Sequence, residues 1–194
     1  DIETTTVLLA DDVASAPPDQ KEKRRGVAGN FFIFKVTGAA ADKMMSLDEC
    51  ERIAKKANER TFTVGVALAP CSLPQTLRHN FEIGPGEMEI GMGIHGEPGV
   101  AREPLRSADD VTDDILERIF AEMDAPSGSK VAVLVNSLGS TPLMELYVVN
   151  RRVAERLERK GISVHATWVG TYCSSLEMAG MSITLIHLDD ELTE

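Results

Sequence analysis

Apolar positions along the chain fall into short β-branched runs separated by longer stretches that repeat at helical spacing. Residues 4–10 are β-branched and apolar and are closed by Asp11-Asp12, which predicts a buried strand with acids at its C-terminal end. Residues 15–25 carry Pro17-Pro18 and a charged cluster, the composition of an exposed loop. Residues 30–41 read two ways. Phe31-Phe32-Ile33-Phe34 has strand propensity, while Gly38-Ala39-Ala40-Ala41 and the length favour a buried helix.

The next elements are plainer. Ser46 and Glu49 form a capping box, in which each side chain satisfies a free N–H of the first turn. Leu47, Cys50, Ile53, Ala54 and Ala57 then mark one helical face. Residues 61–69 predict a strand ended by Pro70, and residues 88–94 a strand that delivers His95. Ser107 predicts the cap of a helix reaching about Met123, with Asp109, Asp110, Asp113 and Asp114 complementing its N-terminal dipole. Residues 130–136 are almost wholly apolar, as in strands covered on both faces. A helix follows from Thr141, with Pro142 at its first position and Gly161 ending it. Residues 163–169 and 181–188 are the last strands. This alternation predicts an α/β fold with a mostly parallel or mixed sheet flanked by helices, and one domain over residues 1–194.

Charge narrows the partners. The net charge is −11, so neither nucleic acid nor an anionic membrane surface is an expected partner, since both reward a basic footprint. A phosphorylated ligand stays open, because backbone N–H groups and helix N-termini can hold one. No run of 18 apolar residues occurs, so no membrane span is expected. The opening Asp1-Ile2-Glu3-Thr4 shows no leader pattern and no initiator Met, and reads like the middle of a longer cytoplasmic protein. Cys50, Cys71 and Cys173 include no CxxC pair; each is expected to be a small buried hydrophobe.

The most unusual segment is Gly93-Ile94-His95-Gly96-Glu97-Pro98-Gly99. Glycines on both sides of a histidine let the backbone turn and let a ligand approach closely, although a plain turn with a solvated histidine has the same composition. There the histidine could serve as general base, metal ligand or nucleophile. His79, His165 and His187 show no ligand spacing, which argues against a metal. His79 lies beside Arg78 in a loop, and His165 and His187 fall in strands, as structural or surface residues do. Asn136-Ser137-Leu138-Gly139-Ser140-Thr141-Pro142 is either an anion-binding turn or a simple helix cap. Arg24-Arg25-Gly26-Val27-Ala28-Gly29 could hold phosphate, though a solvated basic loop fits its local sequence better. There is no Walker A sequence, no dinucleotide fingerprint and no nucleophile elbow.

Taken together, four segments resemble one family. They are residues 24–29, residues 87–99, residues 135–147 and Gly170-Thr171-Tyr172-Cys173-Ser174-Ser175-Leu176-Glu177-Met178. In this order they resemble the substrate-binding subunit of dihydroxyacetone (glycerone) kinase, with the match spread over nearly the whole chain. The resemblance implies the second domain of that subunit, with residues 1–45 assignable to the end of the domain before it. It implies a cytoplasmic homodimer of glycerol metabolism in which His95 is both substrate-binding and catalytic, holding dihydroxyacetone or a similar short ketose as a covalent hemiaminal. It also implies that this chain binds no cofactor. The phosphoryl donor, ATP or a recharged ADP with magnesium, belongs to a partner L-type subunit or domain. The family's upstream Gly-rich loop, with a second histidine and an acid that activate the substrate hydroxyl, has no counterpart here, and Asp11-Asp12 occupy a different position. The chain alone is therefore expected to be inactive as a kinase.

Overall fold

The computed structural model describes residues 2–194. Its helices are α1 (Asn30–Asp42), α2 (Leu47–Glu59), α3 (Ala108–Phe120), α4 (Leu143–Arg159) and a terminal turn, α5 (Asp190–Thr193). Its strands are β1 (Thr61–Ala69), β2 (Ser72–Leu73), β3 (Arg78–His79), β4 (Glu87–Ile90), β5 (Ala101–Pro104), β6 (Lys130–Ser137), β7 (Ser163–Gly170) and β8 (Ala179–Leu188). Six strands form one sheet in the order β5-β4-β1-β8-β6-β7, and β2 pairs with β3 beside it.

Alternation within the central strands sorts side chains into two helix-covered faces. Val131, Val133, Val135, Ile183 and Leu185 pack with Val111, Ile115, Ile119, Val149, Val153 and Leu157 of α3 and α4. Ala132, Leu134, Ile186 and Leu188 face Phe32, Ile33 and Ala40 of α1 and Ile53, Ala54 and Ala57 of α2. Both faces of β6 are therefore apolar, which is why its sequence shows no alternation. Residues 30–41 form the helix that their length favoured. Of the strand-like run, Phe32 and Ile33 are buried on the inner face of α1, while Phe34 is 70% exposed on its outer side. The capping box of α2 and the Ser107 cap of α3 are both present.

Of the two sheet forms expected, the mixed one is adopted. Among the described strands, only β6 and β7, joined through α4, run parallel; β8 lies antiparallel between β1 and β6, and β4 and β5 extend the sheet as antiparallel neighbours. A parallel pair needs a crossover, and α4 is the one helix that supplies it within this sheet.

Three local expectations are corrected. Residues 4–10 are not a buried strand: Leu8 is 83% exposed, and strand-like pairing is limited to one bridge between Asp12 and Thr63. The side chain of Asn58 takes the hydrogen bonds instead, accepting from Ala10 N at 3.0 Å and donating to Leu8 O at 3.1 Å. β4 stops at Ile90 rather than residue 94, because Gly91 turns out of the strand at φ 77°, where a side chain would crowd Ala14. Pro142 is the N-cap of α4, its ψ of 154° keeping it extended, and the helix begins at Leu143. Among the described residues, no helix is long and apolar enough to cross a membrane.

α3 and α4 are also laced by ion pairs, Arg151 with Asp109, Arg152 with Asp113, and Arg156 with Asp113 and Glu117. The energetic weight of the exposed Arg151–Asp109 pair is small beside the core beneath it, because exposed pairs are screened and lose side-chain entropy. Ile115→Ala is expected to cost about 2–5 kcal/mol. Arg151→Ala should cost less than about 1 kcal/mol. Urea unfolding of the two variants checks the ordering, and equal losses would contradict it.

Candidate functional site

The turn at Gly91 sends the chain over the sheet through Met92 and Ile94, which pack into the core, and then out to His95, whose side chain is 79% exposed. The loop is held by its own polar groups. Gly93 N donates to Glu97 O at 3.0 Å, and Gly96 N donates to Gly93 O at 3.0 Å. Glu97 turns back on the histidine: one carboxylate oxygen accepts from His95 N at 2.9 Å, and the other lies 3.0 Å from His95 Nδ1. Asn80, just after β3, reaches His95 O with its amide at 3.3 Å. At the outgoing limb, Gly99 N donates to the buried Glu89 at 2.7 Å.

Partial burial pushes the Glu97 carboxyl up, but the bonds from the His95 ring and from the N–H groups of Glu97 and His95 outweigh it. The net effect holds Glu97 below the usual carboxylate range. An ionised carboxylate against Nδ1 favours the tautomer with its proton there, leaving the Nε2 lone pair free. That pairing is what a nucleophilic imidazole requires.

The arginine segment is not a solvated loop. Arg24 is buried, bonded to Ala16 O at 2.8 Å and paired with Glu122 at 2.7 Å. Arg25 lies beside the histidine loop: a Cβ at Gly93 would meet the Glu97 carboxylate and stand 2.7 Å from Arg25 Nη1, so a side chain there would push those groups aside. Its guanidinium meets Asp12 Oδ2 through Nε at 2.9 Å and Nη2 at 2.7 Å. Asp11, fully buried, accepts from Val27 N at 3.0 Å and Gly29 N at 2.7 Å, and so fixes the turn into α1. Burial pushes its carboxyl up, against the bonds from Thr63, Val27 and Gly29. Burial likewise drives Asp12 up to about 6, with Arg25 opposing and the neighbouring Asp11 adding to the rise.

The turn after β6 turns out to be a structural clamp. Asn136 donates to Cys173 O at 2.8 Å and accepts from Tyr172 N at 2.8 Å and Cys173 N at 2.9 Å, which joins two of the family-like segments. Ser137 bonds to Thr141 O at 2.9 Å, and Thr141 bonds to both polar groups of the Gly180 backbone at 2.7 and 2.9 Å. These hydroxyls are committed to the fold rather than turned to an anion. His79 and His165 are exposed, and His187 is half-buried at the end of β8, its ring held below its ordinary range by burial and Arg60. Cys71 and Cys173 are buried as expected, whereas Cys50 is only partly so. Among the described residues, no cluster of three or more His, Cys, Asp or Glu could hold a metal.

Asp12 gives a pH prediction. Its folded value, about 6, lies above its ordinary 3.8, so the folded state holds this proton more tightly and the associated stability is lost as pH rises through that window. Asp12→Asn should flatten the fall in unfolding free energy between pH 4 and 7 relative to the unsubstituted protein. Parallel pH profiles in urea would contradict this.

Comparisons with known proteins match the chain along nearly its whole length. The Dak1 domain model matches residues 1–194. The dihydroxyacetone-binding subunit DhaK of PTS-dependent dihydroxyacetone kinase 2 from Listeria innocua is 48% identical over 193 residues, which cover 100% of this chain and 58% of that protein. The L-erythrulose 1-kinase of Mycolicibacterium smegmatis is 43% identical, over 98% of this chain and 34% of its own length. The solved structure of the dihydroxyacetone kinase operon co-activator Dha-DhaQ superposes with a TM-score of 0.88 at 33% identity, over 96% of this chain and 58% of that one. The chain thus spans little more than half the length of the Listeria subunit and about a third of the erythrulose kinase. With all 194 residues matched by the family model, the chain belongs to the Dak1 domain family.

Proposed function

We propose that this chain is the substrate-binding part of a dihydroxyacetone kinase and that His95 anchors the ketone covalently. The observation that carries the reading is the exposed His95 ring with Nδ1 3.0 Å from the Glu97 carboxylate. Nε2 attacks the carbonyl carbon, one N–C bond forms, and the C=O π pair moves to oxygen. The oxygen takes up a proton from solvent while Nδ1 gives its own to Glu97, which passes it to solvent, so the hemiaminal forms with no net proton change and no loss of water. A ketone offers the electrophilic carbon that this step needs, and a polyol such as glycerol offers none. Holding the acceptor in one pose contributes to phosphoryl transfer directly, since that reaction is governed by positioning and charge stabilisation.

The phosphoryl donor, ATP or ADP with magnesium, is assigned to an L-type partner subunit or domain, and residues beyond these 194 to the activation of the substrate hydroxyl. A cytoplasmic homodimer is part of the same reading, carried over from the family resemblance. Two relatives mark its alternatives. The erythrulose kinase supports a longer ketose as substrate, and the co-activator supports a ketone-binding regulator that transfers no phosphate.

Intact mass of the full-length protein incubated with dihydroxyacetone is expected to show an addition equal to the whole ketone, absent with glycerol and absent in His95→Ala. An adduct that persists in His95→Ala would reject the assignment. Glu97→Gln should still form the adduct but at least about tenfold more slowly, through loss of the fixed tautomer. Turnover with the L-type partner and ATP then separates kinase from regulator.

A further inference from the structure

We propose that Arg25 is a positioning residue for His95, its guanidinium tying the carbonyl at the stem of the histidine loop to the buried carboxylate of Asp12. This rests on the reading of His95 as the ketone's anchor.

Two adjacent arginines have separate surroundings. The Arg24 side chain bonds to Ala16 O and Glu122, away from the loop. Arg25 donates from Nη2 to Gly91 O at 2.9 Å, while Nε and Nη2 hold Asp12. Gly91 N is bonded in turn to Gly65 O of β1 at 2.7 Å, so this one residue of the stem is gripped from the sheet on one side and from Arg25 on the other.

The base of the latch is itself fixed. Asp12 Oδ1 accepts from Ala14 N at 3.1 Å, and Asp12 N donates to Arg25 O at 3.1 Å. Ser15 closes the ring, accepting from Arg25 N at 3.1 Å and donating to Asp12 O at 2.8 Å. The segment is tied to β1 through Thr63 N to Asp11 O at 2.7 Å and Val13 N to Thr63 O at 3.0 Å. A continuous path of bonds therefore runs from the central sheet through Asp12 and Arg25 to the turn that aims His95.

Stability is a poor reason for this arrangement. A sequestered carboxylate is costly even when paired, and a well-packed apolar pair is often as stable. Asp12 shows that cost in its raised pKa. A guanidinium, however, offers several donors in a fixed plane and can hold an acid and a carbonyl at once, which an ammonium on a flexible stem does poorly. A misplacement of about 1 Å at a reacting group can cost up to about a hundredfold in rate.

The test measures the rate of adduct formation with dihydroxyacetone in the full-length protein, by rapid acid quench and intact mass. Arg25→Ala should form the same His95 adduct about tenfold or more slowly. Millimolar guanidinium ion should restore much of that rate, while leaving His95→Ala without adduct. Arg25→Lys, which keeps the charge opposite Asp12, should remain slow with a melting temperature close to the parent's; it decides the matter alone if Arg25→Ala does not fold. Unchanged rates in these variants would overturn the latch and leave the role of His95 standing. A slow Arg25→Ala that guanidinium fails to rescue would also overturn it, in favour of general loosening. Absence of any adduct in the unsubstituted protein would instead reject the anchor, and with it the latch.

Discussion

Burial of β1, β8 and β6 on both faces is the constraint from which the other features follow. These three strands fill the middle of the sheet, and α3 and α4 cover one face while α1 and α2 cover the other. These strands are paired on both sides and covered on both faces, so buried backbone in the loops entering or leaving that centre needs its own hydrogen-bond partners. That requirement explains the unusual buried polar residues. Asp11 serves the turn into α1, and Asn136 serves the turn after β7. Glu89 serves the outgoing limb of the histidine loop.

The same requirement accounts for what the sequence made legible. Long elements were readable because one or two rules act alone over many residues: the capping box at Ser46 and Glu49, the apolar run of β6, the helical stripe of α2. The direction of β8 was not, since an apolar run carries no sign of whether its neighbours are parallel. Residues 4–10 failed for a related reason. β-branched composition marks strand propensity, but a strand needs a partner edge, and here Asn58 takes the bonds that an edge would have taken.

The candidate site divides along the same line. His95 stood out because glycines bracket it, and Glu97 was visible only as a neighbour two residues on. Nothing local marks Glu97 as the group that turns back to Nδ1, because that depends on how the loop curls around Gly93 and Gly96. Arg25 and Asp12 were further out of reach. They are 13 residues apart, and their link to Gly91 spans 66 more. A pair of consecutive arginines reads as a solvated basic loop when only propensity is considered. Its true character appears only once β1 has placed Asp12 where a guanidinium can enclose it.

In the proposed anchoring role, a histidine this exposed meets two problems: water competes for its ring, and a mobile loop would blur its aim. The loop's hydrogen bonds answer the second. Both limbs of the loop end on groups rooted in the sheet, Gly91 on β1 and Gly99 on Glu89 of β4. The ring is then oriented from within the loop by a carboxylate held ionised. Such an arrangement suits reversible capture. On the proposed reading a hemiaminal must form and also release, so an anchor that is firmly held and open serves turnover better than a buried, strongly activated nucleophile that would hold its ketone too long.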